Sequence, residues 1–321
     1  MARRKKKNPI QRLFYWVFFA VCVFAGVSAF SYSGTLKFAH VSDIHLSDKS
    51  ANTSYKVLAS SNALLNDEIE QLNSIPNLDL VLVSGDMTDR PYEEMVLKFI
   101  KKMNTLKAPW YPAFGNHDIA IFGDLTKKRY IEILNENNPN YKSKKSYYSF
   151  VPKKGFRVIA MDAIIDDKIT ANGKVPQEEL NWLDNELCKA KRNDEVPLIF
   201  LHHPLHEPFS SFHHRILNAD EFYAVLNKYK MPMAVMTGHY HCTKVTKEGN
   251  ILHLSTPALV SYPNAFRIIT VTNMKNKVVF KYDFKETRLT DVQKSAKLLT
   301  FSSKNYYGTE SDRNGIVVID K

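Results

Sequence analysis

Five short polar motifs hold the residue types that could do chemistry in this chain. They are His40-Val41-Ser42-Asp43-Ile44-His45, Gly85-Asp86-Met87-Thr88-Asp89-Arg90, Gly115-Asn116-His117-Asp118, Leu201-His202-His203-Pro204 and Gly238-His239-Tyr240-His241. Carboxylate, imidazole and amide oxygen together suit hard-to-borderline divalent ions such as Mn²⁺, Fe²⁺ or Zn²⁺, and these motifs offer no thiolate. In Asp43-x-His45 and His239-x-His241 the i, i+2 spacing lets both side chains face one way from an extended or turning segment. A glycine before Asp86, Asn116 and His239 permits tight turns where backbone approaches a site closely. A single Asp-x-His is a weak signal. Gly-Asn-His-Asp is a stronger one, because average residue usage puts its chance occurrence in a chain this long on the order of 10⁻³.

The motifs gain weight from the elements before them. Residues 36–41, 78–83, 110–114, 196–201 and 233–237 are short apolar runs of the kind that form buried strands, and each ends where a motif begins. Helical spacing covers 55–72, 92–106, 125–134 and 177–190, the last preceded by Pro176. Residues 147–151 and 156–161 read as two paired strands, and 251–255, 266–272 and 277–284 as further strands. Alternating strands and helices with a β-rich second half predict an α/β fold: a two-sheet β-sandwich flanked by helices. In open α/β sheets ligands bind at the carboxyl ends of strands, which is where five motif-bearing loops would converge.

In their order and form the motifs resemble the calcineurin-like metallophosphoesterase superfamily, with Asp-x-His, Gly-Asp-x-x-Asp, Gly-Asn-His-Asp, His-x-Pro and Gly-His-x-His in sequence over residues 36–284. The resemblance implies two divalent metal ions. One would be held by Asp43, His45, Asp86 and His241, and the other by Asp86, Asn116, His202 and His239, with Asp86 bridging. It also implies attack on phosphorus by a water activated between the ions, and a non-ligating His117 that gives a proton to the leaving oxygen. Asp89 is the expected partner of the His117 imidazole, or else a turn-capping carboxylate. Arg90 either touches phosphate or is a surface cation, and His203 either backs the ligands or faces substrate. Within the superfamily the layout most resembles the bacterial class III cyclic-nucleotide phosphodiesterases. This sets a reaction, phosphoester and most readily phosphodiester hydrolysis. Phosphomonoesterase, nuclease and cytoplasmic cyclic-nucleotide readings stand as alternatives.

The remaining sequence bounds location and partners. Residues 1–12 hold Arg3, Arg4, Lys5, Lys6, Lys7 and Arg12 without an acid, so of the net charge of +11 about +5 belongs to the rest of the chain. A body so modestly charged does not advertise a nucleic-acid groove. Residues 13–30 carry no charge and would make an apolar helix of about 27 Å, enough to span a bilayer core. That predicts a transmembrane anchor or, given Val27-Ser28-Ala29, a cleaved signal peptide. Either way the basic end stays inside and the enzyme works outside the cytoplasm, on lipid-linked, polymer-linked or free phosphoesters. Residues 31–35 read as a linker and 285–321 as a peripheral extension. The insertion 206–214 is expected to overhang the cleft, with His206, His213 and His214 either contacting substrate or belonging to a solvated loop. Cys22, Cys188 and Cys242 read as free thiols.

Overall fold

The computed structural model describes residues 34–119 and 125–321. The predicted basic start and apolar helix at 1–30 lie outside these residues. Among the described residues no helix is long and apolar enough to cross a membrane.

In chain order the elements are β1 (Gly34–Val41), a 3₁₀ turn (Leu58–Ser60), α1 (Ser61–Ser74), β2 (Leu80–Ser84), α2 (Glu93–Met103), β3 (Trp110–Ala113) and α3 (Lys127–Asn137). Next come β4 (Tyr148–Lys153), β5 (Phe156–Ala160), α4 (Gln177–Arg192), β6 (Val196–Phe200), α5 (Ala219–Leu226), β7 (Met233–Thr237), β8 (Lys244–Glu248) and β9 (Ile251–Ser255). The chain closes with β10 (Ala265–Asn273), β11 (Lys277–Glu286), α6 (Thr290–Leu299), α7 (Ser303–Tyr307), α8 (Glu310–Arg313) and β12 (Gly315–Asp320).

The strands form two six-stranded sheets, ordered β12-β11-β10-β1-β2-β3 and β4-β5-β6-β7-β9-β8. Parallel pairing joins β1, β2 and β3 in the first sheet and β5, β6, β7 and β9 in the second. Strand alternation then divides the core. Leu36, Phe38, Leu80 and Leu82 meet Val158, Leu198, Phe200 and Met236 between the sheets. The opposite faces, Ala39, Val41, Val81 and Val83, pack under α1, α2 and α3, whereas Ile159, Ile199 and Val235 pack under α4 and α5. The central strands are covered on both faces, which is why β2, β6 and β7 read as near-continuous apolar runs rather than alternating ones.

Three differences from the sequence reading matter for the site. The first helix does not begin at residue 55: Tyr55 and Lys56 belong to a loop fixed when the Val57 amide donates to the Val260 carbonyl at 2.8 Å. The half-exposed strand β8 and the eight-residue helix α5 carry too short or too polar a pattern to stand out. The third concerns residues 285–321, read as peripheral. They supply edge strand β12, paired antiparallel with β11, and helices that dock on the loop after β7.

Candidate metal centre

The loops after β1, β2, β3, β6 and β7 gather at one end of the two sheets. Their backbones are joined almost as tightly as strands. The amides of Asp43, His45 and Leu46 donate to the carbonyls of Gly85, Asp86 and Met87 at 3.2, 2.8 and 3.0 Å. Asp118 stitches a third loop on: its carboxylate accepts from the amides of Gly115 at 2.8 Å and Met87 at 2.9 Å. Side chains cannot intrude at this junction. A Cβ on Gly115 would run into Asp86, and one on Gly238 into Ser42 and Asp43.

The seven residues expected to ligate metal come together and are buried. Asp43 Oδ1 lies 3.2 Å from His241 Nε2 and 4.0 Å from His45 Nε2. His202 Nε2 lies 3.4 Å from Asp86 Oδ2, 3.1 Å from Asn116 Oδ1 and 3.0 Å from His239 Nδ1. The two sets meet at Asp86, whose Oδ2 stands 3.3 Å from His45 Nε2 as well. Asp86 is therefore the shared carboxylate by position.

The remote ring nitrogens are held from behind. His202 Nδ1–H donates to the Ser84 carbonyl at 2.8 Å, His239 Nε2–H to the Ala171 carbonyl at 2.9 Å, and His241 Nδ1 pairs with Ser261 Oγ at 2.8 Å. Such contacts orient metal-ligating imidazoles and set their tautomers. The facing atoms are less well served: Asp43 Oδ1 and His45 Nε2 are buried without a hydrogen-bond partner. Orphaned buried acceptors of this kind fit divalent cations, and three-residue groups around Asp43-His45-His241 and Asp43-Asp86-His202 bring their ligand atoms within 4.8 Å of one another.

Electrostatics say the same. Burial works against a charged His202, yet Asp86 and Asp43 beside it outweigh burial and hold its imidazolium up to about 9. Burial would also raise Asp86, but His202, His117 and His45 keep it well below the usual carboxylate range. His45 and His239 are pushed down, chiefly by burial, with Lys56 adding to the effect on His45 and His203 to that on His239. The carboxylates thus demand positive charge that only one of these histidines supplies. Metal ligation needs all of them neutral.

Around this centre the other expected residues fall differently. His117 Nδ1–H donates to the backbone carbonyl of Asp89 at 2.9 Å, so the main chain and not the expected carboxylate orients that ring. The Asp89 carboxylate instead accepts from Lys49 Nζ at 2.5 Å and sits 3.9 Å from His45 Nδ1, behind a ligand. His203 is fully buried, its Nε2–H donating to the Ala171 carbonyl at 3.0 Å and its ring 4.3 Å from that of His239. It backs the ligand layer. Arg90 is exposed beside a cavity of about 350 Å³ that it shares with Lys49, Asp89 and Tyr92. Cys188 and Cys242 are free thiols.

One residue was not foreseen. Lys56 is 5% exposed, and its Nζ lies 3.3 Å from both His45 Nδ1 and His117 Nε2. Nothing in sequence marks it, since a lysine in a helix-like stretch is ordinarily a solvated one. The insertion 206–214 does overhang the cleft: the His214 ring lies 5.2 Å from His239, while His206 turns away to Glu248.

A two-sheet sandwich flanked by helices, with carboxylates and imidazoles converging at the strand ends, defines a metal-dependent hydrolase of the metallophosphoesterase fold. The calcineurin-like phosphoesterase profile matches residues 36–243, and the chain belongs to that family. It is similar to a probable glycerophosphodiester phosphodiesterase of Arcobacter nitrofigilis, 28% identical over 67% of this chain and 75% of the relative. A 3',5'-cyclic-nucleotide phosphodiesterase of Nostoc is 27% identical over 70% of this chain and 78% of the relative. Among solved structures, a dimetal phosphatase from Danio rerio superposes with a TM-score of 0.62 at 16% identity, over 78% of this chain and 99% of that one.

Proposed function

We propose that this protein is a phosphodiesterase working with two divalent ions, Mn²⁺, Fe²⁺ or Zn²⁺. The observation that carries the reading is Asp86 Oδ2, 3.3 Å from His45 Nε2 on one side and 3.4 Å from His202 Nε2 on the other. Asp43, His45, Asp86 and His241 would hold one ion, and Asp86, Asn116, His202 and His239 the second. When bound, such ions acidify water and neutralise charge on phosphoryl oxygens.

The chain's own groups supply the rest. His117, fixed through Nδ1 by the Asp89 carbonyl, would give a proton from Nε2 to the departing alcohol. Lys56 Nζ lies 3.3 Å from that same Nε2. Preference for diesters is supported by relatives named as glycerophosphodiester and cyclic-nucleotide phosphodiesterases. Work outside the cytoplasm is supported by the basic start and uncharged run at 13–30.

The full-length chain loaded with Mn²⁺ should hydrolyse bis(p-nitrophenyl) phosphate faster than p-nitrophenyl phosphate and stop when chelator is added. Faster monoester turnover would reverse the substrate class, and turnover indifferent to chelator would end the metal reading. Sequencing the mature N-terminus separates a tether from a released enzyme. A catalytic body protected from added protease in intact cells would reverse the topology.

A further inference from the structure

Beside the metal centre lies a cavity of about 250 Å³ whose floor is formed by His239 and His241 and whose walls are mostly aromatic. Tyr55, Phe209, Tyr240 and Tyr306 line it, and each arrives on a different segment: the loop before α1, the 206–214 insertion, the loop after β7, and α7. Phe209 meets Tyr240 edge-on with ring centroids 4.9 Å apart and stands 6.3 Å from Tyr306. Tyr55 lies 5.6 Å from the His241 ring. Tyr55 is 47% exposed and Phe209 43%, so apolar ring surface faces solvent immediately next to a polar centre.

The fourth wall is built deliberately. The Thr243 amide donates to the Tyr306 carbonyl at 2.9 Å, which fixes α7 against the loop that carries His241. Gly308, at φ 71°, lets the chain pass so close to the Thr243 carbonyl that a Cβ there would collide with it. Asp312 then caps α8 and accepts from the Val245 amide at 3.0 Å. Tyr306 lies beyond the 36–243 stretch that carries the family match.

We propose that this cavity is a subsite for a planar, uncharged ring, such as an aryl group or a nucleobase, on one alcohol of the phosphoester; the proposal rests on the phosphoesterase reading above. Three features select that ligand. Besides the imidazoles of His214, His239 and His241 the lining is aromatic, with no lysine, arginine, aspartate or glutamate, so it offers neither a carboxylate to a cation nor an ammonium or guanidinium to an anion. Its volume is below the roughly 300–1,000 Å³ of drug-sized pockets, which suits one ring system and not a polymer. An aromatic cage also suits quaternary ammonium groups, but here the charge is wrong. The Lys56 ammonium stands 5.6 Å from the Tyr55 ring, and the floor is made of imidazoles that would be held by dications. A cationic headgroup meets repulsion, and a neutral ring meets four stacking partners.

Calorimetry on the full-length chain loaded with Mn²⁺ tests this without turnover, using phenylphosphonate, ethylphosphonate and 2-(trimethylammonio)ethylphosphonate. All three present the same head to the metals, and none can be hydrolysed at its C–P bond. The phenyl compound should bind roughly 10- to 100-fold tighter than the ethyl compound, the range expected for stacking one ring. Tyr306→Ala and Phe209→Ala should each erode that advantage and leave ethylphosphonate affinity and Mn²⁺ binding unchanged, while Tyr306→Phe keeps it. Tightest binding of the trimethylammonium compound overturns the proposal, as does a phenyl advantage that is absent or survives both alanine variants. Failure of all three to bind overturns it too. Metal-dependent hydrolysis of bis(p-nitrophenyl) phosphate, measured in parallel, then tells whether the phosphoesterase reading falls with it.

Discussion

The floor of the cleft and its aromatic rim are made in opposite ways. On the floor, the ligand-bearing residues themselves are contorted: Asp43, His45, Asp86, His239 and His241 have φ of 53°, 45°, 51°, 67° and 54°. Non-glycine residues held in this left-handed region cost of order 1–3 kcal/mol each and persist only when their surroundings over-determine them. Here the surroundings do, through the interlocked loop amides and the Asp118 carboxylate. The rim residues Tyr55, Phe209, Tyr240 and Tyr306 show no such backbone, and three of the four keep ring surface open. A site that must fix charges to within tenths of an ångström is given rigid, strained loops. A surface that selects a ring by stacking needs only correctly anchored segments.

This contrast predicts that floor variants fail in chemistry and rim variants in discrimination. Asp86→Ala removes the carboxylate shared by both ligand sets. It should abolish turnover and lower bound metal measured by elemental analysis, with the fold intact by circular dichroism. Two bound ions and appreciable turnover in that variant would break the comparison at its strongest point. His117→Ala comes next. A general acid contributes typically 10²–10⁴-fold and matters most for poor leaving groups, so alkyl esters should lose that factor and p-nitrophenyl esters far less. Equal losses on both, or loss of metal, would assign His117 to another task.

Lys56 sits where floor and rim meet, next to Tyr55 in sequence. Its ammonium stands beside the ligand His45 and beside His117, so Lys56→Met should cost roughly 100-fold in activity, while metal affinity holds or rises because a positive charge next to His45 is removed. Metal affinity by competition with a chelating dye separates the two contributions. If the variant instead changes only phenyl-over-ethyl preference, Lys56 belongs to the rim.

The floor was largely legible in sequence because its chemistry is concentrated in motifs: all seven ligand candidates meet, and the strands before them lie where apolar runs placed them. What sequence could not show was contact between distant segments. Lys56 lies 61 residues from His117, and Tyr306 reaches the cleft from a stretch whose patterning is too weak to reveal its docking. The Asp89 expectation went astray for a related reason. Motif spacing brings that residue to the imidazole, but only the fold decides whether its carboxylate or its carbonyl arrives.

The smallest expected effect comes from a buried charge outside both regions, and it controls for the floor's use of metal. Glu68 of α1 is 1% exposed, and its Oε1 has no hydrogen-bond partner. Burial first, and then the neighbouring Asp67, push its carboxyl well above the ordinary 4.5. With a folded-state pKa above the unfolded one, the native state binds more protons. Stability is therefore full below about pH 4.5 and falls as pH rises until the folded pKa is passed. Glu68→Met removes both the proton linkage and the orphaned oxygen. It should raise stability at pH 8 by about 1 kcal/mol, the lower end of the cost of a buried unsatisfied group, which is a rise of roughly 1–2 °C in Tm for a domain of this size. At pH 4, where Glu68 is protonated in both states, the gain should shrink to the share of the orphaned oxygen alone. Because Glu68 holds no metal, the rise should be the same with and without Mn²⁺, whereas any stability change in Asp86→Ala should depend on it. A Glu68→Met effect that tracks Mn²⁺ would mean that the strained floor reaches into α1, and the boundary between rigid floor and ordinary scaffold would have to be redrawn.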